Sequence, residues 1–237
     1  MAHRQGDKPT DDPTKFGLKF DSEKPKWELF PEIQLMKIVE VFNMFSPSGN
    51  CNDSYIDLKN FDREKLINFI FGDMLEWHSG STYINSGKKE YQTLAMVGFQ
   101  ILFLIRNKSY TYEELNKTDS YIRFDLIDMK EIEKVVDIFT MGAKKYAPNN
   151  WQLVDPERYY GAFMRHFLMV RTNKPYDSEL GCLHIHQALW NIIALLWLED
   201  NKEVEGEVKK EVQEEISPKF DGFIQNQIGQ VAKILID

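Results

Sequence analysis

Three of the chain's five histidines, His166, His184 and His186, cluster between residues 166 and 186, and two carboxylates, Asp177 and Glu179, lie among them. Imidazole nitrogen and carboxylate oxygen together form a mixed donor set for a divalent cation. Helical periodicity sorts the candidates. His184, Ala188, Asn191 and Leu195 fall on one stripe of an apolar helix, whereas His186 faces the other way. On the preceding helix Tyr160, Phe163 and Phe167 form the core stripe, with His166 on its rim and Arg165 turned from it. The spacing therefore predicts that His166 and His184 face a loop carrying Asp177 and Glu179. Blander roles compete: a half-buried histidine is often a hydrogen-bonded core residue, and Glu179 stands where it could serve the helix dipole. Neither an H-E-x-x-H pattern nor a Walker lysine is present, so the spacing alone names no enzyme.

A second cluster, Lys144-Lys145-Tyr146, follows a Gly-Ala pair, with Asn149-Asn150-Trp151 just after. Lysines at a helix C-terminus can simply oppose the dipole. They can also clamp phosphate, with Tyr146 or Trp151 stacking on a base and Asn150 capping, turning or reading a base edge. In the first half Asp73 and Glu76 lie one turn apart, with Glu90 opening the next helix. That is one way bundles hold magnesium, although a solvated face is the commoner meaning of such a pair. Cys51 and Cys182 are too few for a disulfide framework and wrongly spaced for a zinc knuckle.

The elements that position these residues read as helices, giving an all-α bundle as the expected fold. Residues 1–18 are polar and turn-rich and are expected to be a disordered tail. A bundle is expected over 19–200, and a charged linker with a C-terminal amphipathic helix over 201–237. Asp62 and Asp155-Pro156 mark helix starts. Within the bundle, 28–108 reads as a degenerate copy of 126–199. Leu35–Met44 lies on Ile132–Met141, Phe69 on Phe163, and Leu104 on Leu195, with Gln100 opposite Asn191. Chance similarity between amphipathic helices is the competing account. The longest apolar run, Ala188 to Leu198, is too short to span a bilayer and contains Asn191, and the first residues lack an apolar signal region. A cytoplasmic protein with no membrane partner is expected. The formal net charge of −8 argues against a nucleic-acid polymer as ligand and leaves room for a small phosphorylated molecule.

Lys19, Asp21, Lys24-Pro25-Lys26-Trp27, Leu29 and Pro31 form one patterned block. A second runs through Gly142-Ala143-Lys144-Lys145-Tyr146, Asn150-Trp151, Tyr159-Tyr160, Arg165-His166, Asp177, Glu179, Gly181, His184 and Asn191. In this order the residues resemble the phage dATP/dGTP diphosphohydrolase-like family, which is itself similar to the all-α MazG-like nucleotide pyrophosphohydrolases. The resemblance covers Lys19 to Phe42 and Asp128 to Glu199. It implies cleavage of a purine nucleoside triphosphate to monophosphate and pyrophosphate with Mg2+ or Mn2+. His166, Asp177, Glu179 and His184 would hold the metal or its water. Lys144, Lys145 and Arg165, joined by Lys24 and Lys26, would neutralise phosphate charge, with Tyr146, Asn150, Trp151 and Asn191 completing the substrate set. Three departures stand out: Gln187 where the family has a histidine, Leu180 where it has serine, and the interruption from Asn43 to Ile127. MazG-like bundles work as dimers, so either a homo-oligomer or an internal pseudo-dimer with a non-catalytic first half is expected. Two alternatives remain beside the enzyme: a nucleotide-sequestering protein, to which Gln187 points, and a helical interaction module.

Overall fold

The computed structural model describes residues 24–44, 57–80, 90–117, 122–178 and 181–202. The expected N-terminal tail, Lys19, Asp21, Glu179, Leu180 and everything after residue 202 lie outside them. Within these residues the chain forms seven α-helices and no strand: α1 (Glu32–Met44), α2 (Arg63–Ser79), α3 (Glu90–Arg106), α4 (Tyr112–Leu115), α5 (Met129–Lys145), α6 (Pro156–Arg171) and α7 (184–202). The all-α helical bundle expected from the sequence is what the chain adopts.

Local chemistry sets the helix ends. The Asp62 carboxylate accepts from the Lys65 amide at 3.0 Å and opens α2, which closes at Gly80 with φ +62°. Asp128 and Asp155 cap α5 and α6 in the same way, and Pro156 takes the first position of α6, where its missing N–H costs nothing. The polar stretch that follows α3 contains α4. Thr111 and Glu114 form a reciprocal capping box around this single turn, a Thr-x-x-Glu signal present in the sequence and overlooked. Buried Arg123 ties the connection down by pairing with Asp125 and donating to the carbonyls of Lys117 and Glu114.

Side-chain contacts fix the helix directions. Glu131 meets His186 and Phe139 meets Trp190, while Trp151, just past α5, meets Trp197, so α5 and α7 run parallel. His166 meets His184 and Tyr159 meets Trp190, so α6 runs antiparallel to both. On the other side α2 lies antiparallel along α6, with Phe71 on Phe167, Trp77 and His78 on Tyr160, and the Arg63 guanidinium on the Val170 carbonyl. Helix α1 is joined to the end of α7 by Gln34 and Lys37, both donating to Asp200. At the centre α1, α3 and α7 converge on Gly98. A Cβ there would fall 2.6 Å from Ile38 Cδ1 and 3.4 Å from Ile192 Cγ2, so the absent side chain makes room for the buried Ile38 and Ile192 side chains. Both α3 and α7 are buried over most of their length, which is why their sequences are apolar on nearly every side.

Candidate metal centre

The centre sits where α6 turns into α7. Asn173, in the left-handed conformation that asparagine tolerates, ends α6, and the Lys174 amide donates back to the Met169 carbonyl. The returning loop is pinned at several points. The Asp177 amide donates to the Cys182 carbonyl at 2.9 Å, the Gly181 amide to the Asp177 carbonyl at 2.9 Å, and the His184 amide to the Pro175 carbonyl at 2.8 Å. Gly181 has φ +66°, where a side chain would be strained. A hydrogen bond of 3.2 Å from Gln187 Nε2 to Cys182 Sγ fastens this loop to α7.

This scaffold brings His166, Asp177 and His184 together, and among the described residues they are the one group of histidine, cysteine or carboxylate side chains that converges as a metal-ligand set would. The two Nδ1 atoms are 2.9 Å apart, while Asp177 Oδ2 lies 3.9 Å from His166 Nδ1 and 3.7 Å from His184 Nδ1. Two imidazole nitrogens that close can share one proton or one cation. Burial, reinforced by neighbouring His184, lowers the His166 pKa despite the opposing pull of Asp177, and Arg165 adds to the lowering. The neutral ring that results is the form that ligates metal. Burial pushes the Cys182 thiol up, which keeps it protonated beside the cluster.

The other sequence candidates are distributed along the bundle. Arg165 is exposed on α6 next to His166, and its guanidinium runs back over Gly161. Lys144 and Lys145, expected to neutralise phosphate charge beside the metal set, lie toward the other end of the bundle. Glu131 marks the histidine end of α5, and Lys144 follows thirteen residues later, about 20 Å further along the axis. Lys26 belongs to the lysine end too, because its amide donates to Thr140 Oγ1, one turn before Lys144; Lys24 is exposed two residues earlier. Tyr146 is 67% exposed, with Lys145 Nζ over its ring at 5.4 Å. Trp151, one of two candidates to stack on a base, instead packs edge-on against Phe139 and Trp197 inside the bundle. Asn150 starts the short 3-10 turn that leads into α6. Asn191 is buried and donates to the Gln187 carbonyl at 2.7 Å, its Oδ1 unpartnered. In the first half Asp73 Oδ2 accepts from Gln100 Nε2 at 2.6 Å, and the Glu90 side chain lies outside the described residues.

One further pair escaped the sequence reading. His186 is 1% exposed, and its Nε2 lies 2.7 Å from Glu131 Oε2. Burial works against the Glu131 charge, but hydrogen bonds from Lys134 and His186 outweigh it, and the carboxyl titrates below its usual range. The helical pattern did show His186 facing away from His184; nothing in the spacing tied it to a residue fifty-five positions earlier.

The fold and the site thus define an all-α protein with a histidine-carboxylate centre on a helical hairpin. Residues 111–207, which include α4 to α7, match the family described as dATP/dGTP diphosphohydrolase, N-terminal, and the resemblance read from the sequence is borne out. A dATP/dGTP diphosphohydrolase of Salmonella phage PMBT28 is 32% identical over 77 residues, covering 32% of this chain and 27% of that protein. The chain thus matches little more than a quarter of that relative's length. No solved structure matches the chain. Among the described residues no helix is long and apolar enough to cross a membrane.

Proposed function

We propose that the protein is a metal-dependent pyrophosphohydrolase of purine nucleoside triphosphates, releasing the monophosphate and pyrophosphate. The observation that carries this reading is the convergence of His166, Asp177 and His184 inside the segment that matches the diphosphohydrolase family. Both imidazoles and the carboxylate fit a divalent cation, which when bound supplies charge neutralisation to phosphate oxygens during attack. Glu179, on the same loop, completes the proposed ligand set. Asp177 contributes the anionic ligand and is held in place by its backbone bonds to Cys182 and Gly181. His166 and His184 contribute neutral nitrogens. Arg165, close enough to His166 to lower its pKa, adds positive charge beside the centre, and in a chain of net charge −8 such local positive charge is what admits a triphosphate.

The lysine end enters the same reading through a second copy. Lys144, Lys145, Lys24 and Lys26 stand about 20 Å of helix from the metal centre within a chain, and a homo-oligomer that brings the lysine end of one copy to the histidine end of another would let both sets act on one nucleotide. Tyr146, the exposed aromatic at that end, is then the residue to stack on a base, with Asn150 beside it. The antiparallel contact of α2 with α6, and the meeting of α3 with α7 at Gly98, support the internal pseudo-dimer, in which the first half acts as the non-catalytic partner of a MazG-like bundle.

Incubating the purified chain with Mn2+ and dATP or dGTP, and resolving products by anion-exchange chromatography, tests the reading directly. Monophosphate and pyrophosphate in equal amounts are expected, and their loss in His184→Ala. A second reading, nucleotide sequestration, is favoured by Gln187, whose side chain is engaged with Cys182 where the family has a histidine. Calorimetric binding of dATP or dGTP with no product would establish it in place of turnover.

A further inference from the structure

The three donor atoms of the metal centre are two imidazole nitrogens and one carboxylate oxygen, 2.9, 3.7 and 3.9 Å apart. Each separation is less than twice the roughly 2.0 to 2.2 Å bond that nitrogen or carboxylate oxygen makes to a first-row transition ion, so all three can ligate one such ion. Calcium takes six to eight oxygens, and magnesium takes an octahedral shell of oxygen and sheds water reluctantly, whereas two of the three atoms here are nitrogen. Donor type therefore discriminates: imidazole favours the later divalent ions of the first transition row.

We infer that His166, Asp177 and His184 select a divalent first-row transition ion, of the manganese-to-zinc class, and discriminate against magnesium and calcium. This deepens the metal-dependent reading above and rests on it. The soft sulfur nearby does not alter the donor set, because Cys182 Sγ accepts a hydrogen bond from Gln187 and stands outside the converging trio. The backbone bonds at Asp177, Gly181 and His184 fix the loop that carries the carboxylate against the start of α7, beside the two imidazoles.

The test uses the full chain stripped with chelator and dialysed. Mn2+ is titrated while the electron paramagnetic resonance of the free ion is followed, then Mg2+ is added as competitor; Co2+ is titrated separately and followed by its visible absorption. Expected is one Mn2+ bound per chain and retained in about a 100-fold excess of Mg2+, a Co2+ spectrum of nitrogen-ligated type, and at least about tenfold weaker Mn2+ binding in His184→Ala and His166→Asn. Circular dichroism and melting temperature report whether those variants fold, and Asp177→Asn, on the loop, provides a third variant outside the helices. Displacement of Mn2+ by equimolar Mg2+ would overturn the inference. So would wild-type Mn2+ affinity in all three variants, which would mean that the 2.9 Å contact is only a shared proton. The nucleotide assay separates the two claims. Tight Mn2+ binding with dATP and dGTP left intact sinks the hydrolase and leaves the selectivity standing. Hydrolysis in Mg2+ alone that is lost in His184→Ala, with Mn2+ displaced by equimolar Mg2+, does the reverse.

Discussion

Replacing Lys144 and Lys145 together with alanine should leave the metal affinity of the isolated chain unchanged, and the reason is distance. Lys144 stands about 20 Å along α5 from the level of the histidines. One lysine at that range repels a divalent ion by roughly 0.4 kcal/mol in a water-like dielectric, and salt with a Debye length of about 8 Å reduces that to a few hundredths. Two lysines together then alter the Mn2+ dissociation constant by less than about 1.2-fold at physiological ionic strength. Had they shared a cleft with the ion at about 5 Å, with an effective dielectric near 20, each would repel it by about 6 to 7 kcal/mol, and removing them would tighten binding far more than tenfold. Titration of Mn2+ into wild-type and doubly substituted protein at matched low concentration distinguishes the two cases. A tightening of threefold or more would refute the helix directions derived from the Glu131–His186, Phe139–Trp190 and Trp151–Trp197 contacts. The same substitutions should weaken nucleotide binding by about 2 to 4 kcal/mol only at concentrations where copies associate, which sedimentation velocity measures alongside.

Gly98→Ala should destabilise the bundle by about 1 to 3 kcal/mol in urea denaturation, because its Cβ meets buried Ile38; in an Ile38→Val background the same change should become nearly neutral, and equal effects in both backgrounds would refute the contact. Glu131→Ala should cost about 1 to 3 kcal/mol, since it leaves both ring nitrogens of buried His186 without a partner, and an unchanged denaturation midpoint would count against that pair. Acid stability should follow Asp125 and Glu114. The Arg123 hydrogen bond holds the first below its usual range, and the Thr111 amide, aided by Arg106, holds the second, both against the effect of burial. Depressed folded-state values mean the stabilisation is present above the unfolded pKa and fades as pH falls through the folded one, below about pH 4. The difference in melting temperature between wild type and Asp125→Asn should therefore be largest above pH 5 and close in acid.

How far the sequence carried the fold follows from which signals are local. Asp62, Asp128 and Asp155-Pro156 act on amides within three residues of themselves, so helix starts could be read directly. The stripe of His184 and Asn191 and the rim position of His166 follow from helical geometry, and this anticipated the meeting of His166 with His184. The distribution of the lysines could not be read in that way. Lys144 and His184 are both close to helix ends, and only the parallel course of α5 and α7, set by packing of Phe139, Trp190 and Trp197, decides that these ends are opposite. Trp151 is a related case: an aromatic beside asparagines and lysines has the composition of a base-stacking site, and nothing in that composition reveals its edge-on contacts with Phe139 and Trp197.

The position of the centre at the start of α7 also decides what can attract a phosphate there. A helix N-terminus is ordinarily an anion site, because its first amides are unpaired and the dipole adds positive charge. Here the His184 amide is bonded to the Pro175 carbonyl, and the His186 and Gln187 amides to that of Leu183, so these three donors are spent on shaping the loop. The dipole remains, and by itself it disfavours a cation; Asp177 offsets this by placing a carboxylate within 4 Å of both imidazoles. The carboxylate in turn repels an incoming triphosphate. On the proposed reading, net attraction for a triphosphate at this end would depend on a cation held by His166, Asp177 and His184 together with Arg165, because such a cation would reverse the charge that Asp177 brings.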